Sequence, residues 1–440
     1  MPYDDLPELT GLDATSGVRI PPDVTVPLSA RVRNLLDTPA LQRLARVSQL
    51  GLVALAYPGA VHSRLEHSLG VYRLALEFLA RLRHDPAFRA TIDRDDAAAF
   101  IVAALVHDIG HWPFCHPLED MGLEELPRHE DLASQRLTAN EPAALLRAEW
   151  GIDPARVAAL VAGTATDPAG RMLGTLLSGP IDVDKMDYLA RDSLHAGVPY
   201  GRHFDQPRLL ASLCIDDAGR LAIGDKGRTA AELMVFARYV MFSEVYWHHA
   251  VRAATAMLQR AVWILRPRLD TGLVTNAEDS AFVSWLIDTA RGTPATPLVD
   301  GLFGSGRRLY KRVAVFDAVD APAVHGALAG LPYAELVEAS RRLAKSLEKD
   351  IGVPIDGHDL LIDAPPVHRE VEFNLAVRSA GDPPRYRTLA SRSPVVRSLA
   401  REQFDSIVKR VRLFAPKRLA ERLSGRTDLA DRLAAAATPA

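Results

Sequence analysis

Several things are scarce in this sequence. Cysteine occurs twice in 440 residues, at Cys115 and Cys214, too few for a disulfide framework, so a reducing, cytoplasmic compartment is expected. Lysine occurs seven times against 45 arginines, a bias that beside the high alanine content reads as compositional rather than as a demand for guanidinium groups. Neither sign of charge is in large excess: the net charge is −3, which gives no global pull toward nucleic acid or an anionic membrane. No apolar run approaches the ~18 residues of a spanning helix, and no signal-peptide pattern opens the chain. These absences exclude disulfide-scaffold, coiled-coil, collagen-like and membrane classes. With 48% hydrophobic and 24% charged residues, the composition is that of a soluble globular enzyme with a large core.

Histidine is what the chain concentrates. Of its 14 histidines, seven fall between His62 and His129, and imidazole is both the commonest metal ligand and the usual acid/base near neutral pH. The surrounding pattern is helical. After Asp37-Thr38-Pro39, the spacing of Leu41, Leu44, Ala45, Ser48 and Leu52 predicts a helix. A second is predicted from about Ser63 to Arg83, ended by His84-Asp85-Pro86. A third starts at Asp95-Asp96 and runs through AAAFIVAALVHDIGH, apolar nearly all round as in a buried helix. Further helices are predicted at 130–137, 154–163, 168–178 and 185–194, a hairpin at 210–224, and one long helix over 228–266. Residues 1–30 read as irregular and 292–300 as a loop. Past about 308, strand-like runs at 311–316, 360–363 and 370–377 mix with helices near 334–348 and 395–412. The expected fold is mostly α: an irregular segment over 1–34, a helical domain over 35–300 and a smaller α+β region over 301–440.

His107-Asp108 is the sharpest local signal. The pair emerges from the apolar run IVAALV, and leaving an imidazole and a carboxylate unpaired there is costly. A divalent cation satisfies both. His67 on the preceding helix supplies another imidazole, and a later aspartate in IDVDKMDYLARD (181–192) completes a mixed nitrogen/oxygen set suited to Mn, Mg, Fe, Co or Zn. In that later segment Asp184, Tyr188 and Arg191 stand at i, i+4 and i+7, on one helical face, with Lys185 and Asp192 flanking it. His111, His116 and His129 follow the pair and are placed to handle protons or phosphate oxygens.

Five ordered blocks carry a resemblance: LLDTPALQRLARVSQLG (35–51), YPGAVHSRLEHSLGV (57–71), ALVHDIGHWPFCHPLE (104–119), His129-Glu130 and IDVDKMDYLARD, with RYVMFSEVYWHHAVRAATAML (238–258) beyond them. They resemble the HD-domain metal-dependent phosphohydrolases, and within them the dNTP triphosphohydrolase branch. The resemblance implies an HD-type helical core and a divalent metal on His67, His107, Asp108 and Asp184. It implies a catalytic His129 oriented by Glu130 and Glu119. Arg64, His111, His116, Lys185 and Tyr188 would contact the triphosphate, with His111 also serving in proton transfer. Gln49 would read the sugar 3′-hydroxyl, Asp192 would lie near the sugar, and Tyr188 would crowd a 2′-hydroxyl. The implied reaction releases intact inorganic triphosphate and leaves a deoxynucleoside, in a homo-oligomer.

The sequence also departs from the family. Residues 17–30, GVRIPPDVTVPLSA, lack the usual Ile-His-Gly-type element. Asp37 and Gln42 match an activator-nucleotide site of animal members, but the arginine of that site is Ala45 here. Trp112 stands where a small residue is common. Between Arg385 and Arg426, twelve basic residues face three acidic ones, a balance of +9. That stretch suits a solvated face, a subunit interface, an allosteric nucleotide or nucleic acid. Two other functional classes fit the same text. One is an HD phosphohydrolase acting on another nucleotide or a phosphomonoester. The other is a nucleotide-sensing or nucleic-acid-binding protein with little turnover.

Overall fold

In the computed structural model the described residues are 3–12, 17–365, 374–379, 381, 385–399 and 408–438. The chain is mostly helical, with three small sheets among those residues. The Arg64–Leu82 helix starts at Ser63, whose hydroxyl accepts from the Glu66 amide. The Arg94–Val106 helix opens on a capping box between Asp93 and Asp96, two orphan amides met reciprocally. From Ala97 to Val106 every one of its residues is buried, so the apolar run is the central helix of the core. Across it lie the Arg64–Leu82 and Pro154–Val161 helices.

The turn after that helix is pinned by two arginines, Arg43 buried and Arg136 partly so. Arg43 donates to the carbonyls of Ile109 and His111, and Arg136 donates to those of Ile109 and Thr275. Gly110 lets the turn abut the next helix, since a Cβ there would stand 2.0 Å from the His129 carbonyl oxygen. The turn also passes between two apolar cores. Ile109 belongs to a first core built on Leu69, Phe78, Phe100 and Val183. Trp112 belongs to a second, built on Met257, Phe282, Leu343 and Phe414.

The two cores exchange segments of chain. Strands β3 (Leu213–Ile215) and β4 (Leu221–Gly224) form the expected hairpin. β4 then pairs in parallel with β7 (Ala376–Ser379), which pairs with β8 (Arg385–Thr388). Val377, Leu389 and Val396 thereby join the first core. The other C-terminal sheet sets β9 (Val411–Ala415) between β5 (Lys311–Phe316) and β6 (Leu361–Asp363) and packs into the second core.

Several expectations need correction. Residues 39–55 fold as three short turns, Pro39–Gln42, Arg43–Arg46 and Gly51–Leu55, because the chain must bend to lay Val47–Gln49 beside His62–Arg64. The long helix over 228–266 breaks. It runs Arg228–Met241, widens to a π turn at Phe242–Tyr246 and restarts at His249, where the His248 side chain accepts from the Ala250 amide. The 292–300 segment is not a loop throughout, since a helix covers Thr296–Phe303 with proline in its first turn. Residues 411–412 are strand, not helix, leaving Pro394–Ser398 as the helical part of the described residues there. Residues 370–373 and 400–407, part of the strand and helix predictions, lie outside the described residues. Near the N-terminus a Pro7–Thr10 helix and a hairpin of β1 (Val18–Ile20) and β2 (Val24–Val26) replace the irregular reading, and Tyr3, Leu6 and Val26 are wholly buried.

A single carboxylate ties the C-terminal sheet to the helical part. Asp363 on β6 is 2% exposed and pairs with both guanidinium nitrogens Nε and Nη2 of Arg252. Arg412 on β9 approaches it at 3.6 Å and donates to the Trp247 carbonyl at 3.1 Å. Burial lowers the Arg412 pKa to about 10 against the opposing pull of Asp363. Asp363→Asn keeps the shape and removes the anion that both guanidinium groups face. The expected loss is about 3–5 kcal/mol of stability, read as a lower urea midpoint at unchanged slope.

Candidate active site

The site forms where the Arg64–Leu82 helix, the turn after Val106 and the Val183–His195 helix meet. The two helices approach closely because Gly70 has no side chain: a Cβ there would lie 1.9 Å from Asp187 Oδ1. His67, 1% exposed, is gripped from both sides. Its Nδ1 donates to Asp187 at 2.8 Å and its Nε2 faces Asp184 Oδ1 at 3.0 Å. Burial alone would push this imidazole pKa down, but the bonds to Asp184 and Asp187 outweigh it and raise it to about 10.

His107 caps the Arg94–Val106 helix, its Nδ1 against the Ala104 carbonyl at 3.0 Å. Its Nε2 lies 3.2 Å from His67 Nε2 and 3.8 Å from Asp184 Oδ1. Ligand atoms of His67, His107 and Asp184 all lie within 4.8 Å of one another. Two imidazole nitrogens that face each other beside a carboxylate oxygen need a cation between them, a proton or a metal. This donor set fits a divalent ion, with Asp187 behind His67 as the orienting carboxylate such ligands require. Asp108, the fourth expected ligand, borders the set. Its Oδ1 is 3.4 Å from His107 Nε2 and 3.0 Å from His111 Nδ1, while Oδ2 accepts from Arg64 at 2.8 Å. Burial works to raise the Asp108 pKa, but His111, Arg64 and His107 hold it well below the usual carboxylate range.

A second histidine group adjoins the first. His111, His116 and His129 bring their ring nitrogens within 4.8 Å of one another. His111 Nε2 and His116 Nε2 are 3.3 Å apart, and the His111 and His129 rings are centred 4.0 Å apart. Glu119 holds His129 by its ring Nδ1 at 2.9 Å and its backbone amide at 2.7 Å. Glu130 stands 3.5 Å from the same Nδ1 and is also bound by Arg128. Burial and the Arg64 cation drive His111 strongly toward its neutral form. Burial works to raise the Glu119 pKa, but its hydrogen bonds from His116 and His129 lower it strongly.

Beside these groups opens a cavity of about 440 Å³. Gln49, Arg64, His116, Tyr188 and Asp192 line it, together with Phe242, Tyr246 and Arg252. Lys185 does not. Its ammonium is held at 2.6 Å by Asp182, a wholly buried helix cap. Arg191 also departs from expectation: it turns away from the face of Asp184 and Tyr188 to pair with Asp187 at 2.8 Å and Glu66 at 2.7 Å. Sequence reasoning missed Asp187 and Asp182, although both stand in the IDVDKMDYLARD segment that it singled out.

The HD domain family matches residues 64–192 and the HD associated region matches residues 204–434. The chain belongs to the HD-domain family. An uncharacterized protein of Methanocaldococcus jannaschii is 29% identical over 396 residues, 89% of this chain and 77% of that one. Deoxynucleoside triphosphate triphosphohydrolase SAMHD1 of Gallus gallus is 32% identical over 225 residues, 44% of this chain and 35% of that one. Against other curated relatives the match spans about half of their length. A hypothetical protein of Aquifex aeolicus, solved by crystallography, superposes with a TM-score of 0.69 at 26% identity, covering 91% of this chain and 96% of that one. Divalent metal binding goes with the HD domain, and the His67–His107–Asp184 group is where this chain offers it.

Asp187 touches no ligand position directly, yet it fixes the ring that does. Asp187→Asn should therefore lower metal affinity by about 10–100-fold while the chain stays folded. Equilibrium dialysis against Mn²⁺ with metal analysis, beside a circular dichroism melt, checks both halves of that expectation.

Proposed function

We propose that the protein is a metal-dependent deoxynucleoside triphosphate triphosphohydrolase, acting in the cytoplasm as a homo-oligomer. The observation that carries the reading is the adjacency of three features: the His67–His107–Asp184 donor set, the His111–His116–His129 group backed by Glu119, and the cavity lined by Gln49, Arg64, Tyr188 and Asp192. A bound divalent ion supplies Lewis-acid polarisation of a phosphate oxygen and acidifies water. The chain supplies the rest. Arg64, held by Asp108, sits at the boundary between the donor set and the cavity, where a polyphosphate must lie. His129 has Nδ1 engaged by Glu119, which leaves Nε2 to pass a proton to the departing 5′-oxygen. His111, kept neutral by burial and the Arg64 cation, is suited to hydrogen-bond a phosphate oxygen rather than to carry positive charge. At the other end of the cavity Gln49, Tyr188 and Asp192 face the sugar, which makes a nucleotide a better occupant than a small phosphomonoester.

The test is a product screen of the four dNTPs and four NTPs with Mn²⁺, Mg²⁺ and Co²⁺. Inorganic triphosphate and deoxynucleoside in equal amounts are the expected products. Orthophosphate or pyrophosphate alone would refute the reading, and equal turnover of ATP and dATP would move it to another nucleotide. His129→Ala should lower kcat by about 10²–10⁴-fold with metal content unchanged.

A further inference from the structure

His62 carries no role in the reading above, yet it touches two of the three residues placed at the sugar end of the cavity. Its ring Nε2 lies 2.9 Å from Asp192 Oδ1, and its backbone carbonyl accepts from the Gln49 backbone N–H at 2.9 Å. Tyr246 donates to the other Asp192 oxygen at 2.6 Å. A carboxylate only accepts, so Nε2 of His62 carries a proton and donates it. The side chain of His62 is wholly buried. Its ring lies flat on His195, with centroids 4.3 Å apart and planes 15° apart. His195 is in turn fixed by Glu66 at 2.8 Å, and Glu66 by Arg191. The stack on His195 and the bond to Asp192 together fix the ring.

The acceptors that result are matched to a hydroxyl. Each Asp192 oxygen takes one donor from behind, His62 or Tyr246, and retains a lone pair. Gln49 Oε1 is buried and has no hydrogen-bond partner, and both residues line the cavity. Acceptors left unpaired in a closed site cost binding, so such a wall rejects a ligand that brings no donor.

We infer that His62 is a positioning residue that holds Asp192, beside Gln49, as part of a paired acceptor set for one sugar hydroxyl, and so makes the site specific for a nucleotide that carries it. This rests on the dNTP reading and names the group that enforces it.

The experiment compares kcat/KM for dATP and for 2′,3′-dideoxyadenosine triphosphate on the full-length, metal-loaded protein, with triphosphate release as readout. The wild type is expected to prefer dATP by about 10²-fold or more. His62→Phe keeps an aromatic ring over His195 and removes the donor. It should raise KM for dATP, leave kcat and metal content nearly unchanged, and shrink the preference at least about tenfold. His62→Gln, whose amide can donate, should restore part of the preference. Tyr246→Phe removes the second donor and should narrow the preference too, which covers the case of a His62→Phe protein that fails to fold. An unchanged preference across the folded, metal-loaded variants overturns the inference, as does loss of metal from the His62 variants, which would mark a general structural role. A wild type that releases triphosphate from no dNTP instead overturns the function proposed above.

Discussion

A buried imidazole held between two carboxylates is the constraint on which the rest of the site depends. His67 is inside the protein, where an unpaired charge costs several kcal/mol, and Asp184 and Asp187 meet it from one neighbouring helix. Those acids would themselves be costly without cations. Asp187 is answered by both arms of Arg191, and Arg191 by Glu66 from the helix that carries His67. The charges therefore close on themselves across the helix pair, and the pair can approach only because Gly70 leaves space for Asp187. The metal-facing atoms are a by-product of that closure: once Asp187 holds Nδ1, the other nitrogen of His67 must face His107 and Asp184.

This explains which parts of the site were legible in the sequence. The buried helix and its His107-Asp108 end announce themselves, because a run that is apolar all round and stops at two polar residues has few other meanings. The histidine density marks the neighbourhood for the same reason. Asp187 was not legible. It pairs with His67 across 120 positions of chain, and nothing local separates it from the acids beside it. Arg191 was misjudged because helical periodicity places its Cα on the face of Asp184, while its long side chain reaches sideways to the stronger partner. Lys185 flanks the same face in the sequence, yet the cap residue Asp182 claims its ammonium.

The fold shows the same division. Helices with clear caps, such as Arg94–Val106, stand where periodicity placed them. The misread elements are those whose ends are set by tertiary contacts. The π turn at Phe242–Tyr246 spoils a pattern that reads as one long helix, and it brings Phe242 and Tyr246 to the cavity wall. Such turns collect at functional sites because they aim side chains that a regular helix would point elsewhere. Strand β9 follows a helical-looking stretch and is strand because β5 and β6 flank it. The basic C-terminal stretch also looks different once folded. Arg412 and Lys409 are buried, and Arg392 and Arg426 pair with the acids Asp225, Asp350 and Asp428 outside the stretch, so its surplus of charge is partly consumed inside the molecule.

The Asp192 end of the cavity and the His67–His107–Asp184 group share one buried series of contacts. From Asp192 it passes to His62, across the stack to His195, then to Glu66, Arg191, Asp187 and His67. A contiguous path is not by itself a route for signals. Its members argue for rigidity instead, since the carboxylates and the guanidinium are each bound at more than one point and the imidazole stack cannot tilt without parting from a carboxylate. The triphosphohydrolase we propose would need that property more than motion: its sugar and α-phosphorus are separated by a fixed number of bonds, so Asp192 and the His67–His107–Asp184 group would have to keep a fixed separation. Two helices locked by one closed set of charges provide it.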